Sequence, residues 1–207
     1  MAGLILAETA SATDAQRYLP QHSGYPQGGI ILRYPDVAEP IANQVSEVFT
    51  YHGWSVLLVP FTHDLLAKQP FNSINQQIAF MTDQKGQHNL VILSIGDTWD
   101  DATPLARSDS EDEPENPIRG VVLVDVPGQV LAPAELPLLD IVTQDPPVEG
   151  FQARRREARK KHLEAQQRLT LTYSTRRSTQ GEDRLTRRIR GWLKHEVKGM
   201  ELKDTAP

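Results

Sequence analysis

Cysteine is absent from this chain of 207 residues. Its absence excludes disulfides, thiolate nucleophiles and cysteine-ligated metal centres. It leaves the compartment open, because proteins of oxidising compartments can also do without cysteine. Missing too is any apolar run approaching the roughly 18 residues of a membrane-spanning helix. The six histidines are His22, His52, His63, His88, His162 and His195. No two share a helix face at i, i+4 and none sits in a metal-binding pattern, so neither metal nor cofactor is expected. Asp97, Asp100 and Asp101 lack the alternating spacing and glycine of a calcium loop. Basic stretches interleaved with aromatics, or a recognisable reader module, are also lacking, which argues against nucleic acid.

What the chain does have is charge, unevenly placed. Residues 151–207 hold 16 Lys and Arg against 7 Asp and Glu, while residues 1–150 hold 6 against 20. Opposed halves attract each other and can each recruit a partner of opposite sign. The acids concentrate in Ser108 to Asn116, SDSEDEPEN, too polar to bury much and read as a mobile loop within 102–117. The bases concentrate in Arg154, Arg155, Arg156, Arg159, Lys160 and Lys161, a candidate surface for a protein partner or an anionic surface.

The first 16 residues form a separate segment. Met1 to Ala7 is apolar and Ala10-Ser11-Ala12 resembles a small-residue cleavage site, but a basic n-region is lacking. Two readings stay open: a signal-peptide remnant, with a periplasmic protein, or a frayed start, with a cytoplasmic one.

From there, strand and helix alternate. Arg17 to Pro20 suits a short strand. Gly28 to Leu32 is a strand entered from a glycine pair. Pro40 to Tyr51 places Ile41, Val45, Val48 and Phe49 on one helix face, with Gly53 closing it. Trp54 to Pro60 is the next strand, Asn72 to Met81 a second helix, and Leu90 to Ile95 a buried strand ending at Gly96. Strands follow at Ile118 to Val126 and Leu138 to Val142. Phe151 to Gln167 reads as a charged surface helix, Leu169 to Tyr173 as a half-buried edge strand. Asp183 to Val197 reads as a closing helix striped by Leu185, Ile189, Trp192, Leu193 and Val197. The alternation predicts a three-layer α/β sandwich on a mainly parallel sheet, one domain over 17–198 with a tail at 199–207.

In order and spacing these segments resemble the α/β-hydrolase-like proteins of unknown function found in proteobacteria. Gly28 to Leu32 is similar to their first core strand. His52 to Leu58 is similar to the strand that follows, Asn89 to Leu93 to the one entering the nucleophile elbow, and Leu138 to Asp145 to the one delivering the acid. Leu185 to Leu193 is similar to the terminal helix. The resemblance spans roughly residues 17 to 195 and implies a reduced α/β-hydrolase-like fold.

It also implies where catalytic residues belong, and there the chain departs. The elbow pattern Gly-x-Ser-x-Gly lifts a hydroxyl clear of the sheet. The aligned residues are Ser94-Ile95-Gly96-Asp97-Thr98, with glycine at the nucleophile position. Ser94 lies two residues early, inside the strand, and Asp97 one residue late. At the oxyanion turn stands Arg33-Tyr34-Pro35, and proline removes a backbone donor. The interval expected to carry the general base, Ser174 to Glu182, has no histidine. Asp145 alone fits, at the acid position. His63-Asp64 offers a base beside an acid, but adjacent residues do not readily adopt triad geometry.

The sequence therefore predicts a non-catalytic α/β-hydrolase-like protein that binds or scaffolds a protein partner. An esterase-like hydrolase with relocated residues, Ser94 or Asp97 with His63 or His88, is the alternative. A polyanion-binding module built on the basic helix is the second.

Overall fold

The apolar runs lie side by side in a single sheet. The computed structural model describes residues 16–22, 25–61, 71, 73–99, 103–105, 116–130, 132–163, 165–171 and 183–197. The strands are β1 (Arg17–Leu19), β2 (Gly28–Tyr34), β3 (Trp54–Pro60), β4 (Leu90–Ile95), β5 (Ile118–Val124), β6 (Leu138–Val142) and β7 (Gln166–Thr170). Their order across the sheet is β1-β3-β2-β4-β5-β6-β7. All neighbours run parallel except β1, which lies antiparallel on the edge against β3. Every residue of β2, β3, β4 and β6 is buried, as expected where helices cover both faces of a parallel sheet.

Crossover handedness fixes which helix covers which face. The helices are α1 (Glu39–Tyr51), α2 (Ile74–Ala79), α3 (Phe151–Lys160) and α4 (Arg184–Trp192). The chain steps from β2 to β3 in one direction, then from β3 over β2 to β4 in the other. Right-handed crossovers therefore put α1 and α2 on opposite faces. The core divides accordingly. Ala42, Val45 and Phe49 of α1 and Leu185, Ile189 and Trp192 of α4 pack on Ile30, Leu32, Val91 and Leu93. Ile74 and Ile78 of α2 pack with Met81 on Ile31, Leu57 and Ile92. The step from β6 to β7 repeats the second direction, and α3 lies on the α2 side.

The helix ends follow local chemistry. Pro40 stands in the first turn of α1, where its missing N–H is no loss. Ser73 and Gln76 form a reciprocal capping box at α2, and Asp183 accepts from the Thr186 N–H (2.6 Å) at α4. Wider turns, Phe80–Gln84 and Leu193–Val197, extend α2 and α4. The predicted stripe of the closing helix is buried throughout.

Several boundaries shift by a few residues, β2 running on to Tyr34 and β5 stopping at Val124; the two largest shifts are linked. The charged helix stops at Lys160, not Gln167. His162 turns left-handed (φ 51°), the Leu163 N–H donates to the Ala158 carbonyl (3.0 Å) and the His162 N–H to that of Arg159 (3.3 Å). These are the two bonds of a Schellman stop. The edge strand consequently begins at Gln166, three residues before the predicted Leu169. Its inward-facing residues are polar, which hid it from the alternation of apolar residues. The imidazole of His162 is exposed, so His162→Gly loses no packing. Removing a left-handed strain of about 1–2 kcal/mol, offset by the greater chain entropy of glycine, should stabilise by about 0.5–1 kcal/mol. A higher urea midpoint at unchanged slope checks this.

Candidate functional site

In an open α/β sheet, ligands sit at the carboxyl ends of the strands where the winding direction reverses. Here that point lies between β2 and β4, at Tyr34-Pro35 and Gly96-Asp97. Gly96 takes the left-handed conformation (φ 63°). Its N–H donates to the Val124 carbonyl (2.8 Å), and its carbonyl accepts from the Thr98 N–H (2.9 Å). A Cβ on Gly96 would stand 3.4 Å from Cγ and 3.7 Å from Cδ of Pro35. The proline ring therefore borders, at van der Waals distance, the space into which a side chain at this position would rise. Thr98, wholly buried, tethers the two strand ends, its hydroxyl reaching the carbonyls of Ile95 (3.1 Å) and Arg33 (3.2 Å). Among the described residues, Pro35 and Thr98 thus flank and bridge the two strand ends.

The predicted candidates do not converge there. Ser94 is wholly buried within β4, opposite Arg33 of β2 and Leu123 of β5. Its Oγ has no hydrogen-bond partner among the described residues. Arg33, also buried, holds its guanidinium 5.1 Å from the Phe61 ring centroid. Asp97 is exposed. Asp145 is exposed in the turn after β6, joined to Pro146 by a cis peptide. Burial and the nearby Glu39 raise the Tyr34 pKa. His63, Asp64, Asp100, Asp101 and residues 108–115 lie outside the described residues.

Topology places every described histidine at the wrong edge. Helices of a parallel sheet run back against the strands, so their C-terminal ends lie at the strands' N-terminal edge. His52 follows α1, His162 follows α3, and His195 ends the extension of α4. The His22 N–H donates to the Thr50 carbonyl near the end of α1 (2.8 Å). His88 precedes β4. The pairing of Ser94 or Asp97 with His88 is thereby overturned: most of a six-residue strand, on the order of 20 Å at about 3.3 Å per residue, intervenes.

Two carboxylates not singled out from the sequence take fixed structural places. Asp125, left-handed (φ 53°) after β5, accepts from the Thr143 N–H (2.7 Å) and from its hydroxyl, tying the ends of β5 and β6 together. Asp140, in the middle of β6, is wholly buried. Arg154 donates to it twice, from Nε to Oδ2 (2.8 Å) and from Nη2 to Oδ1 (3.1 Å). The same guanidinium donates to the carbonyls of Val126 (3.0 Å) and Gly128. Arg154 therefore leaves the proposed partner surface: it points inward and fastens α3 to the sheet. Arg156, Arg159, Lys160 and Lys161 are exposed and Arg155 half-buried. Lys161 pairs with exposed Glu157 (3.0 Å), and its hydrogen bond lowers the Glu157 pKa. A single charge inside the run LLDIV was the available signal for Asp140; its partner lies fourteen residues on.

Among the described residues, no three His, Asp or Glu side chains gather as metal ligands, and no helix is long and apolar enough to cross a membrane. Compared with known proteins, residues 7–195 match the model of one family, described as "Protein of unknown function (DUF3530)". No curated protein matches. Among solved structures, the esterase domain of a Rhodothermus marinus protein is similar at 12% identity. The match has a TM-score of 0.48 and covers 76% of this chain and 80% of that one.

Proposed function

The chain belongs to this family of proteins of unknown function, DUF3530, and for it we propose a non-catalytic role: an α/β-hydrolase-like body that binds or scaffolds a protein partner. The observation that carries this reading is the switch point, where glycine stands at the elbow position, flanked by Pro35 and bridged by Thr98. Pro35 packs on Gly96 where a nucleophile would stand, and Thr98 closes the gap between β2 and β4. Acyl transfer needs a nucleophile, a base within hydrogen-bond reach and preorganised donors for the oxyanion. At this position glycine supplies no nucleophile, proline removes a donor, and each described histidine lies at the far edge. The opposed charges of the two parts of the chain suit electrostatic recruitment of a partner.

A fluorophosphonate probe tests the non-catalytic half of the proposal. An activated serine displaces fluoride and keeps the phosphonyl group. Intact-mass measurement should show no adduct after prolonged exposure of the folded protein. A stoichiometric adduct, mapped to Ser94 or to any other serine, would overturn the proposal.

A further inference from the structure

Two guanidiniums face one buried carboxylate. Arg154 occupies both oxygens of Asp140. Arg168, the register partner of Asp140 on β7, brings Nε only to 3.8 Å of Oδ2, too far for a hydrogen bond. Its Nη2 donates to Gln166 Oε1 (2.9 Å). Its Nε and Nη1 are buried without a hydrogen-bond partner among the described residues, and the side chain is only 7% exposed. Burial lowers the Arg168 pKa, Asp140 raises it and Arg154 lowers it again. A buried cation with unsatisfied donors carries a substantial desolvation penalty. An anionic ligand would relieve it.

The surroundings of Arg168 suit such a ligand. It lines a cleft of about 390 Å³ between α3 and β7, at the open edge of the sheet. Arg155, Arg159 and His162 form the rest of its polar wall, with Gln166, and among the described residues no carboxylate lines it. Ala158 and Leu163 supply the apolar part. A second cleft on the other side of α3 also reaches Arg168, but it carries Glu157. Among the described residues, the first is therefore the one lined by cationic and neutral side chains alone. Guanidinium forks match tetrahedral oxyanions in charge and geometry, and three of them outnumber what one carboxylate needs.

We propose that the α3–β7 cleft binds a phosphate group, anchored by Arg168 and flanked by Arg155 and Arg159. The phosphate belongs either to a small soluble molecule or to a lipid headgroup. The site is independent of the switch-point crevice, and its existence does not depend on whether that crevice is silent.

Calorimetric titration of the full chain with pyrophosphate at low ionic strength tests the soluble source. Co-sedimentation with phosphatidylcholine vesicles, with and without phosphatidate, tests the lipid source. Saturable binding in either arm is expected. Arg155→Gln/Arg159→Gln, altered at the cleft rim, should weaken it by at least about tenfold, the loss of one charge-assisted hydrogen bond. Arg168→Gln should weaken it as much. Arg184→Gln/Arg187→Gln on α4 removes the same charge elsewhere and should change binding by less than about twofold. Should Arg168→Gln fail to fold, the two double variants still decide the matter. Binding of pyrophosphate assigns the soluble source, and binding of phosphatidate vesicles alone assigns the headgroup. Absence of saturable binding in both arms, or an equal loss in both double variants, would overturn the proposal.

Discussion

Asp140→Ala should remove a large part of the stability of the fold, a loss of about 3–5 kcal/mol where a domain of this kind has about 5–15 kcal/mol in total. The carboxylate is wholly buried and is the only acid in ion-pair range of Arg154 and Arg168 among the described residues. Removing it leaves two guanidiniums facing each other in a dry environment. The cost comes from the orphaned charges more than from the lost attraction. A double variant separates the two. In Asp140→Leu/Arg154→Met one charge of each sign disappears, and stability should recover in large part. It should stop short of the wild type, because Arg168 is left without its carboxylate and the Val126 and Gly128 carbonyls lose their donor. By contrast Lys161→Ala, which breaks the exposed pair with Glu157, should leave the urea midpoint unchanged. A midpoint for Asp140→Ala close to wild type would show that the cluster is not the fastening described.

Gly28→Ala should cost about 3–4 kcal/mol, far more than the same change one residue on. Gly28 has φ 135°, and a Cβ there would lie 2.1 Å from the Asn89 carbonyl oxygen. That oxygen accepts from the Gly29 N–H (2.9 Å), and the Asn89 side-chain amide donates to the Gln27 carbonyl (2.6 Å). The two hydrogen bonds align the beginnings of β2 and β4. A methyl group would force backbone apart, adding an overpacking cost of about 1–3 kcal/mol to a conformational strain of about 1–2 kcal/mol. At Gly29 the obstacles are Met81 Cε (2.5 Å) and Leu90 Cδ2 (2.9 Å), the ends of flexible side chains. Gly29→Ala should therefore cost about 1–2 kcal/mol. The order of the two urea midpoints is the check, and its inversion would contradict the description of this joint.

How much of this was legible depended on where each residue's partners lie. β3, β4 and β6 were readable to the residue, because a strand buried on both faces is written as one continuous apolar run. The helices with an apolar stripe, α1 and α4, were readable for the same local reason. β7 was misplaced because Gln166 and Arg168 face inward toward Asp140, so polarity no longer marked the solvent side. The end of α3 was missed because a histidine holds the left-handed position where glycine usually stands.

The candidate site divides the same way. The register that puts Gly96 at the nucleophile position was visible in the sequence, as was the proline at the oxyanion turn. That Pro35 lies on Gly96, and that five histidines fall at the opposite edge, follows only once strand order is known. The partnership of Asp140 with Arg154 and Arg168 crosses two elements and left a single charge in an apolar strand as its local trace.

Hydrolysis of short-chain p-nitrophenyl esters tests the central claim most directly, with wild type, Ser94→Ala and Asp97→Asn assayed side by side. A switch point without a nucleophile or a base in reach predicts a wild-type rate no higher than that of heat-denatured protein, and the same rate for both variants. Saturable turnover by the wild type that either substitution abolishes would contradict the account.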